Sequence, residues 1–199
     1  TLYLGGVVGF SQESYNLGSQ ILNCDNSGAV TFKGTATNAY IGGVIGNSFG
    51  DNTALFKDLH NNGTITIKDG STISTALAIG GIAGQSKSCK LDTAVNDGEI
   101  VVTISETYSR LEVSNPSSHF GGIVGINTKD SSAFTITNLT NNGAIKFGGS
   151  CIDAATATVL RLGGIAGYFG GWIDNIIMRF DRLHKLFEAL MVFDISDIS

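Results

Sequence analysis

Charge, cysteine and basic runs are all scarce in this chain, and each scarcity closes a class of function. Only 15% of its 199 residues are charged, the formal net charge is −5 and the pI is near 5.0. No basic run stands before the C-terminal segment, so the clustered positive face that nucleic acid requires is missing. The three cysteines are Cys24, Cys89 and Cys151. An odd, widely spaced set gives neither a disulfide framework nor paired zinc ligands, and each is expected to serve as a small hydrophobe. No signal peptide and no stretch of about 20 apolar residues occurs, so no transmembrane segment is expected. The chain opens on Thr1 without Met, as a fragment or a mature form does. No H-E-x-x-H occurs, and no nucleophile motif surrounds His60 or His119. These two and His184 are expected at the surface, and no cofactor is implied.

Glycine is what the chain has in quantity, 27 residues against one proline, and the glycines are ordered. "LGGVVG" at 4–9 returns as "IGGVIG" at 41–46, "IGGIAG" at 79–84, "FGGIVG" at 120–125 and "LGGIAG" at 162–167. The first glycines of the pairs, Gly5, Gly42, Gly80, Gly121 and Gly163, are spaced by 37, 38, 41 and 42 residues. Between them lie "NSGAVTF", "NNGTITI", "NDGEIVV" and "NNGAIKF", whose glycines Gly28, Gly63, Gly98 and Gly143 are 35, 35 and 45 apart. Alternation of the two motifs puts one landmark about every 20 residues, which suits one coil of a stacked repeat protein. The expected fold is all-β, a parallel β-helix (β-solenoid) of roughly 20-residue coils over 1–172. About nine coils at ~4.8 Å each would rise about 43 Å. An antiparallel β-sandwich of repeated hairpins is the alternative.

Aligning on the second motif assigns the faces. Two and four places after the glycine stand Val30 and Phe32, Ile65 and Ile67, Ile100 and Val102, Ile145 and Phe147. Alternation of this kind marks strands with an inward apolar set. Seven places before the glycine are Ile21, Phe56, Leu91 and Ile136, and four before it are Cys24, Leu59, Ala94 and Leu139. Two places before it is always asparagine: Asn26, Asn61, Asn96 and Asn141. Asn–x–Gly supplies residues that tolerate or prefer left-handed backbone, so it reads as a corner. Asparagines stacked at such corners can bond one another. The glycine pair reads as a bend or a close approach of another segment.

Other readings of these glycines fail. The order is not G-x-G-x-x-G and no helix pattern follows. The flanks are too polar for a membrane-helix contact, and the copies lack the aspartate of calcium-binding β-rolls. The alternating "GG[VI]xG … N-x-G-x-[IV]" pattern, best carried by "NCDNSG" (23–28), "DLHNNG" (58–63) and "YIGGVIG" (40–46), resembles the GLUG-type and related glycine-rich repeats of bacterial, particularly Bacteroidales, surface proteins. That resemblance implies an exported, adhesin-like β-solenoid, extracellular or associated with the outer membrane. It brings no catalytic residues.

The expected function is therefore non-enzymatic: a surface module that binds or spaces, with a glycan or a surface protein as partner, acting as a monomer or as part of a larger exported chain. A polysaccharide lyase or hydrolase is the first alternative, since such enzymes need carboxylates meeting on neighbouring coils. Asp58 and Asp92 come closest. An ice-binding solenoid is the second alternative, but Thr64 and Thr66 form the one T-x-T pair among the outward sets. Tyr3 and Tyr40 share the position before the glycine pair, where Ala78, His119 and Arg161 stand in the other copies, and are the ligand-face candidates. The repeat stops near residue 172. Beyond it Ile173, Ile176, Ile177, Phe180, Leu183, Phe187, Leu190 and Met191 recur at helical spacing. This predicts an amphipathic helix over 173–192, within a C-terminal segment 173–199 that is a cap on the last coil or a tail; a partner-binding or membrane-surface helix and a non-native tail are the alternatives.

Overall fold

A computed structural model of the chain describes residues 1–12, 19–50, 54–68, 70–103, 117–128, 136–148 and 159–169. The chain divides into two compact units, Thr1–Tyr168 and Phe169–Ser199. The helix expected over 173–192 lies outside the described residues, as does Cys151.

Each repeat lays down four strands in a fixed order. The first repeat gives β1 (Leu2–Gly5), β2 (Val8–Gln12), β3 (Gln20–Asn26) and β4 (Val30–Phe32). The second gives β5 (Thr35–Gly42), β6 (Ile45–Phe49), β7 (Leu55–Asn61) and β8 (Ile65–Ile67). The third gives β9 (Thr72–Gly80), β10 (Ala83–Lys87), β11 (Lys90–Asn96) and β12 (Ile100–Thr103). The fourth gives β13 (Ser117–Gly121), β14 (Val124–Thr128), β15 (Ile136–Asn141) and β16 (Ile145–Gly148), and β17 (Val159–Gly163) and β18 (Ala166–Phe169) follow. Strands of like place pair side by side. Sheet I is β1-β5-β9-β13-β17, sheet II is β2-β6-β10-β14-β18, sheet III is β3-β7-β11-β15 and sheet IV is β4-β8-β12-β16. The described pairings are parallel in every sheet, so the sandwich of antiparallel hairpins is overturned.

Register corrects the expected coil length. Val30 pairs with Ile65, Ile65 with Ile100, and Ile100 with Ile145, steps of 35, 35 and 45 residues. Leu4 pairs with Ile41 and Ile79 with Phe120. One layer therefore consumes both motifs, and sheets I and II hold five strands rather than nine. The 20-residue interval arose because each layer crosses its own middle twice, once at the glycine pair and once at Asn–x–Gly.

Two separate apolar cores result. Val30, Phe32, Ile41, Ile65, Ile67, Ile79, Ile100, Val102 and Phe120 fill the space between sheets I and IV. Val44, Ile45, Phe56, Leu59, Ile82, Leu91, Ala94, Ile123 and Val124 fill that between sheets II and III. β-Branched and aromatic side chains suit both, because each strand presents a pleated face to a closed interior. Burial of each such side chain contributes about 2 kcal/mol, and a charge at Ile65 or Phe56 would undo its layer.

Between the cores the two short connections meet. Sheet I passes to sheet II through two residues in each described repeat, and sheet III passes to sheet IV through three. At Gly43 an added Cβ would collide with the Asn61 carboxamide and the Gly81 carbonyl. Gly6, Gly81 and Gly122 stand in the same way against Asn26, Asn96 and Asn141. The two sequence motifs are thus opposite walls of one narrow seam, and the second glycine of each pair is there for space.

The strands of sheet III carry one extra residue each. Asn23, Asp58, Thr93 and Asn138 have φ of 52°, 55°, 55° and 55°, and the register skips all four: Leu22 pairs with Lys57 and Cys24 with Leu59, Asp92 with Thr137 and Ala94 with Leu139. Inserting a left-handed residue resets the alternation, so that Phe56, Leu59 and Asn61 all point inward. Asparagine and aspartate tolerate that conformation; threonine at 93 holds it under strain.

Candidate functional site

The asparagines of the second motif form a continuous ladder along the seam. Asn26 Nδ2 donates to Asn61 Oδ1, Asn61 Nδ2 to Asn96 Oδ1 and Asn96 Nδ2 to Asn141 Oδ1, each at 2.8 Å. Each amide also closes on its own turn: Asn61 Nδ2 donates to the Gly63 carbonyl at 2.9 Å, and the Gly63 N–H donates to Asn61 Oδ1 at 3.2 Å. Asn61 and Asn96 are buried, and Asn61 spends its hydrogen-bonding capacity inside the protein. A buried amide satisfied in this way rigidifies its surroundings.

The corner itself differs from the expectation. Neither these asparagines nor Gly28, Gly63, Gly98 and Gly143 have positive φ; the left-handed residue lies three places before the asparagine. A Cβ at Gly63 would strike the Gly28 carbonyl, and one at Gly98 the Gly63 carbonyl. Glycine is needed at these corners for stacking distance, not for backbone freedom.

The carboxylates of the enzyme alternative are not brought into one column. Asp58 occupies the left-handed position aligned with Asn23, Thr93 and Asn138, whereas Asp92 pairs in register with Lys57. Asp92 Oδ1 accepts from Thr137 Oγ1 at 2.8 Å, Asn138 Nδ2 at 3.0 Å and Thr93 Oγ1 at 3.3 Å, and Lys57 Nζ lies 3.6 Å from Oδ2. The Thr137 and Asn138 donors, then Lys57, hold its carboxyl below the ordinary range. Asp97 is likewise lowered, first by Asn142 and then by His60, whose Nε2 is 2.6 Å from Asp97 Oδ2. Such contacts brace one layer against the next. The outward threonines fare no better for ice: Thr31, Thr66, Val101 and Lys146 share one register, and a valine and a charge break that row.

His119 is a correction. Far from lying at the surface, it is buried on the outer side of sheet I, because sheets I and II fold back on each other at the glycine pair. Arg161 Nη1 donates to His119 Nε2 at 2.8 Å. Burial first, then the Arg161 charge, pushes its pKa down to about 4 against the opposing pull of the Leu77 carbonyl, so the ring is neutral near pH 7.

One motif escapes a reading centred on the histidines. Gly46–Asn47–Ser48–Phe49–Gly50 matches G-x-S-x-G, but the nucleophile elbow of that motif needs a strand-to-helix turn that exposes the serine. Here Ser48 is wholly buried inside β6. Its Oγ donates to the Gln85 carbonyl at 3.3 Å and receives the Cys89 thiol at 3.6 Å. It is a core residue.

Tyr3 and Tyr40 do come together, in register on sheet I, and with more aromatic company than the sequence discloses. Tyr3 stacks on Tyr40 at 5.7 Å and on Phe10 of sheet II at 4.8 Å, with interplanar angles of 24° and 20°. Phe10 meets Phe49 edge-on at 6.4 Å, and Lys87 Nζ sits 4.8 Å above the Phe49 ring. Phe10 is 42% exposed, and burial beside Tyr3 raises the Tyr40 pKa. Alignment on the third glycine of the first motif, which puts Phe10, Asn47, Gln85 and Ile126 in one register, is the signal that would have found Phe10.

Among the described residues no group of three or more His, Cys, Asp or Glu could hold a metal ion, and no helix is long and apolar enough to cross a membrane. Comparisons with family models, curated proteins and solved structures return no match.

Proposed function

We propose that this chain is a β-solenoid of the GLUG-type, glycine-rich repeat kind, displayed outside a bacterial cell, and that it binds or spaces without catalysing a reaction. One observation carries the reading. The buried polar side chains of the seam, Asn26, Asn61 and Asn96, are consumed in holding layer to layer. Chemical variety is left to the outer faces, as in proteins that present a repeated scaffold to a partner. The aromatic patch around Tyr3 and Tyr40 is the binding face in this reading.

A screen of the purified chain against immobilised glycans and extracellular-matrix proteins tests it. Reproducible binding that Tyr40→Ala weakens, with no release of reducing sugar or unsaturated uronide from polysaccharides, is the expected result. Polysaccharide cleavage abolished by Asp58→Asn or Asp92→Asn would replace it with the lyase or hydrolase alternative.

A further inference from the structure

Ser27, Asn62, Asp97 and Asn142 stand between the ladder asparagine and the corner glycine in successive layers. Two of them make Asn–Gly steps, 62–63 and 142–143. In such a step the backbone nitrogen after the asparagine can attack its side-chain carbonyl carbon, and glycine, with no Cβ, hinders that approach least. The folded corners restrain the two nitrogens unequally. The Gly63 N–H donates to the Asn26 carbonyl and to Asn61 Oδ1, each at 3.2 Å, and Gly63 is buried. The Gly143 N–H donates to the Asn96 carbonyl at 3.1 Å, and Gly143 is half-buried. Asn62 and Asn142 are both exposed.

We infer that Asn142 is a deamidation site whose conversion unlatches the fourth layer from the third, whatever the chain binds. The Gly143 nitrogen loses its proton to solvent and bonds to Asn142 Cγ. The Cγ–Nδ2 bond breaks, and the amide nitrogen takes a proton from solvent and leaves as ammonia. Water then opens the cyclic imide at either carbonyl, giving aspartate or, with the main chain rerouted through Cγ, isoaspartate. In the intact chain Asn142 Nδ2 donates to Asp97 Oδ1 at 2.7 Å, bracing one layer on the next. Aspartate at 142 removes that donor and sets a carboxylate against the Asp97 carboxylate, where like charges repel. Isoaspartate lengthens the main chain at a corner where even a Cβ on Gly143 would strike the Gly98 carbonyl. Asn62 has a different neighbour: its Nδ2 lies 3.4 Å from His60 Nδ1, so a carboxylate formed there stands beside an imidazole.

The test is to age the full chain for days at mildly alkaline pH and to map its peptides by mass spectrometry. Asn142 is expected to convert several times faster than Asn62 in the folded protein, and at a like rate once urea has opened both corners. Aged protein should melt below fresh protein. Asn142→Gln keeps an amide but enlarges the ring that must close, and should abolish that drop. Asn142→Asp should lower the melting temperature by about 2–4 °C, and Asp97→Asn should remove most of that loss. Asn62→Asp should leave the melting temperature within about 1 °C of the wild type. Equal conversion of Asn142 and Asn62 in the folded protein, or no conversion at Asn142, overturns the site. Asn142→Asp melting with the wild type overturns the repulsion at Asp97, and aged protein doing so overturns the unlatching.

Discussion

On sheet I the outward column runs Tyr3, Tyr40, Ala78, His119, Arg161; on sheet III it runs Asp25, His60, Val95, Thr140. Both are outer faces built on the same parallel pairing. Yet Ala78 and His119 are buried while Asp25 and Thr140 are exposed. The difference lies in the turn that follows. Two residues after sheet I, the glycine pair folds sheet II back until Gly46 and Gly84 lie against the backbone of Leu4 and Ile41. Three residues after sheet III, the Asn–x–Gly turn leaves the outer faces open to water. A tight turn makes a dry stretch, on which His119 is held neutral, and a wider one makes a wet face that can keep carboxylates.

The severest way to break that contrast is at the seam. Gly81→Ala drives a Cβ into the Gly122 carbonyl and the Asn96 carboxamide, backbone and ladder that cannot yield. It is expected to destabilise by more than about 4 kcal/mol, seen as loss of soluble, cooperatively melting protein. Next comes Asn61→Ala. It removes the ladder bonds to Asn26 and Asn96 and the donor to the Gly63 carbonyl, and is expected to lower the unfolding free energy by about 3–4 kcal/mol in denaturant titrations.

The dry face should show itself in acid. His119 binds its proton far less readily when folded, with a pKa of about 4 against ~6.5 unfolded. Between those values the unfolded chain holds more protons, so stability falls as pH drops from about 6.5 to 4, by about 2–3 kcal/mol, and levels off below. His119→Gln should flatten that slope; an unchanged slope would show that other groups set it. The wet face has its own, lower window. Asp92 and Asp97 have lowered pKa values, so their contribution is complete above the ordinary carboxylate range and fades as pH falls below it. Asp92→Asn is the smallest effect, expected to stay within the scatter of replicate melts at neutral pH because the group is screened by water.

The inward columns were legible because apolar residues recur at fixed distances from a glycine. The register of Val30, Ile65, Ile100 and Ile145 needs nothing more. The extra residue in sheet III also left a trace that period-two reasoning passes over. Phe56 and Leu59, three apart and both buried, cannot share a face of an unbroken strand. The residues per layer were not legible, since two landmarks per turn and one landmark per turn give the same alternation along the chain. The reason for the glycines was hidden too, because a collision between segments some 15 to 41 residues apart, such as Gly81 with Asn96 and with Gly122, is invisible to local backbone rules. Phe10 and Phe49 belong to the same class of miss. Only cross-sheet geometry brings Phe10 to Tyr3, and Phe49 joins through Phe10 from the next strand of sheet II.

The fixed two-residue and three-residue turns at the seam decide where this protein can grow. The outer connections show no such constancy: from sheet IV to the next sheet I they span 2, 4, 13 and 10 residues, and from sheet II to sheet III 7, 5, 2 and 7. Repeats of unequal length thus keep one register at the seam: the length differences fall in these outer connections, apart from one residue taken up by a bulge within β9, where Thr37 of β5 faces two residues. Insertions, tags or grafted loops belong between β12 and β13 or between β16 and β17, the longest of these connections in sequence, because loop closure costs little more as length grows. The same insertion between Gly42 and Ile45 would part the layers.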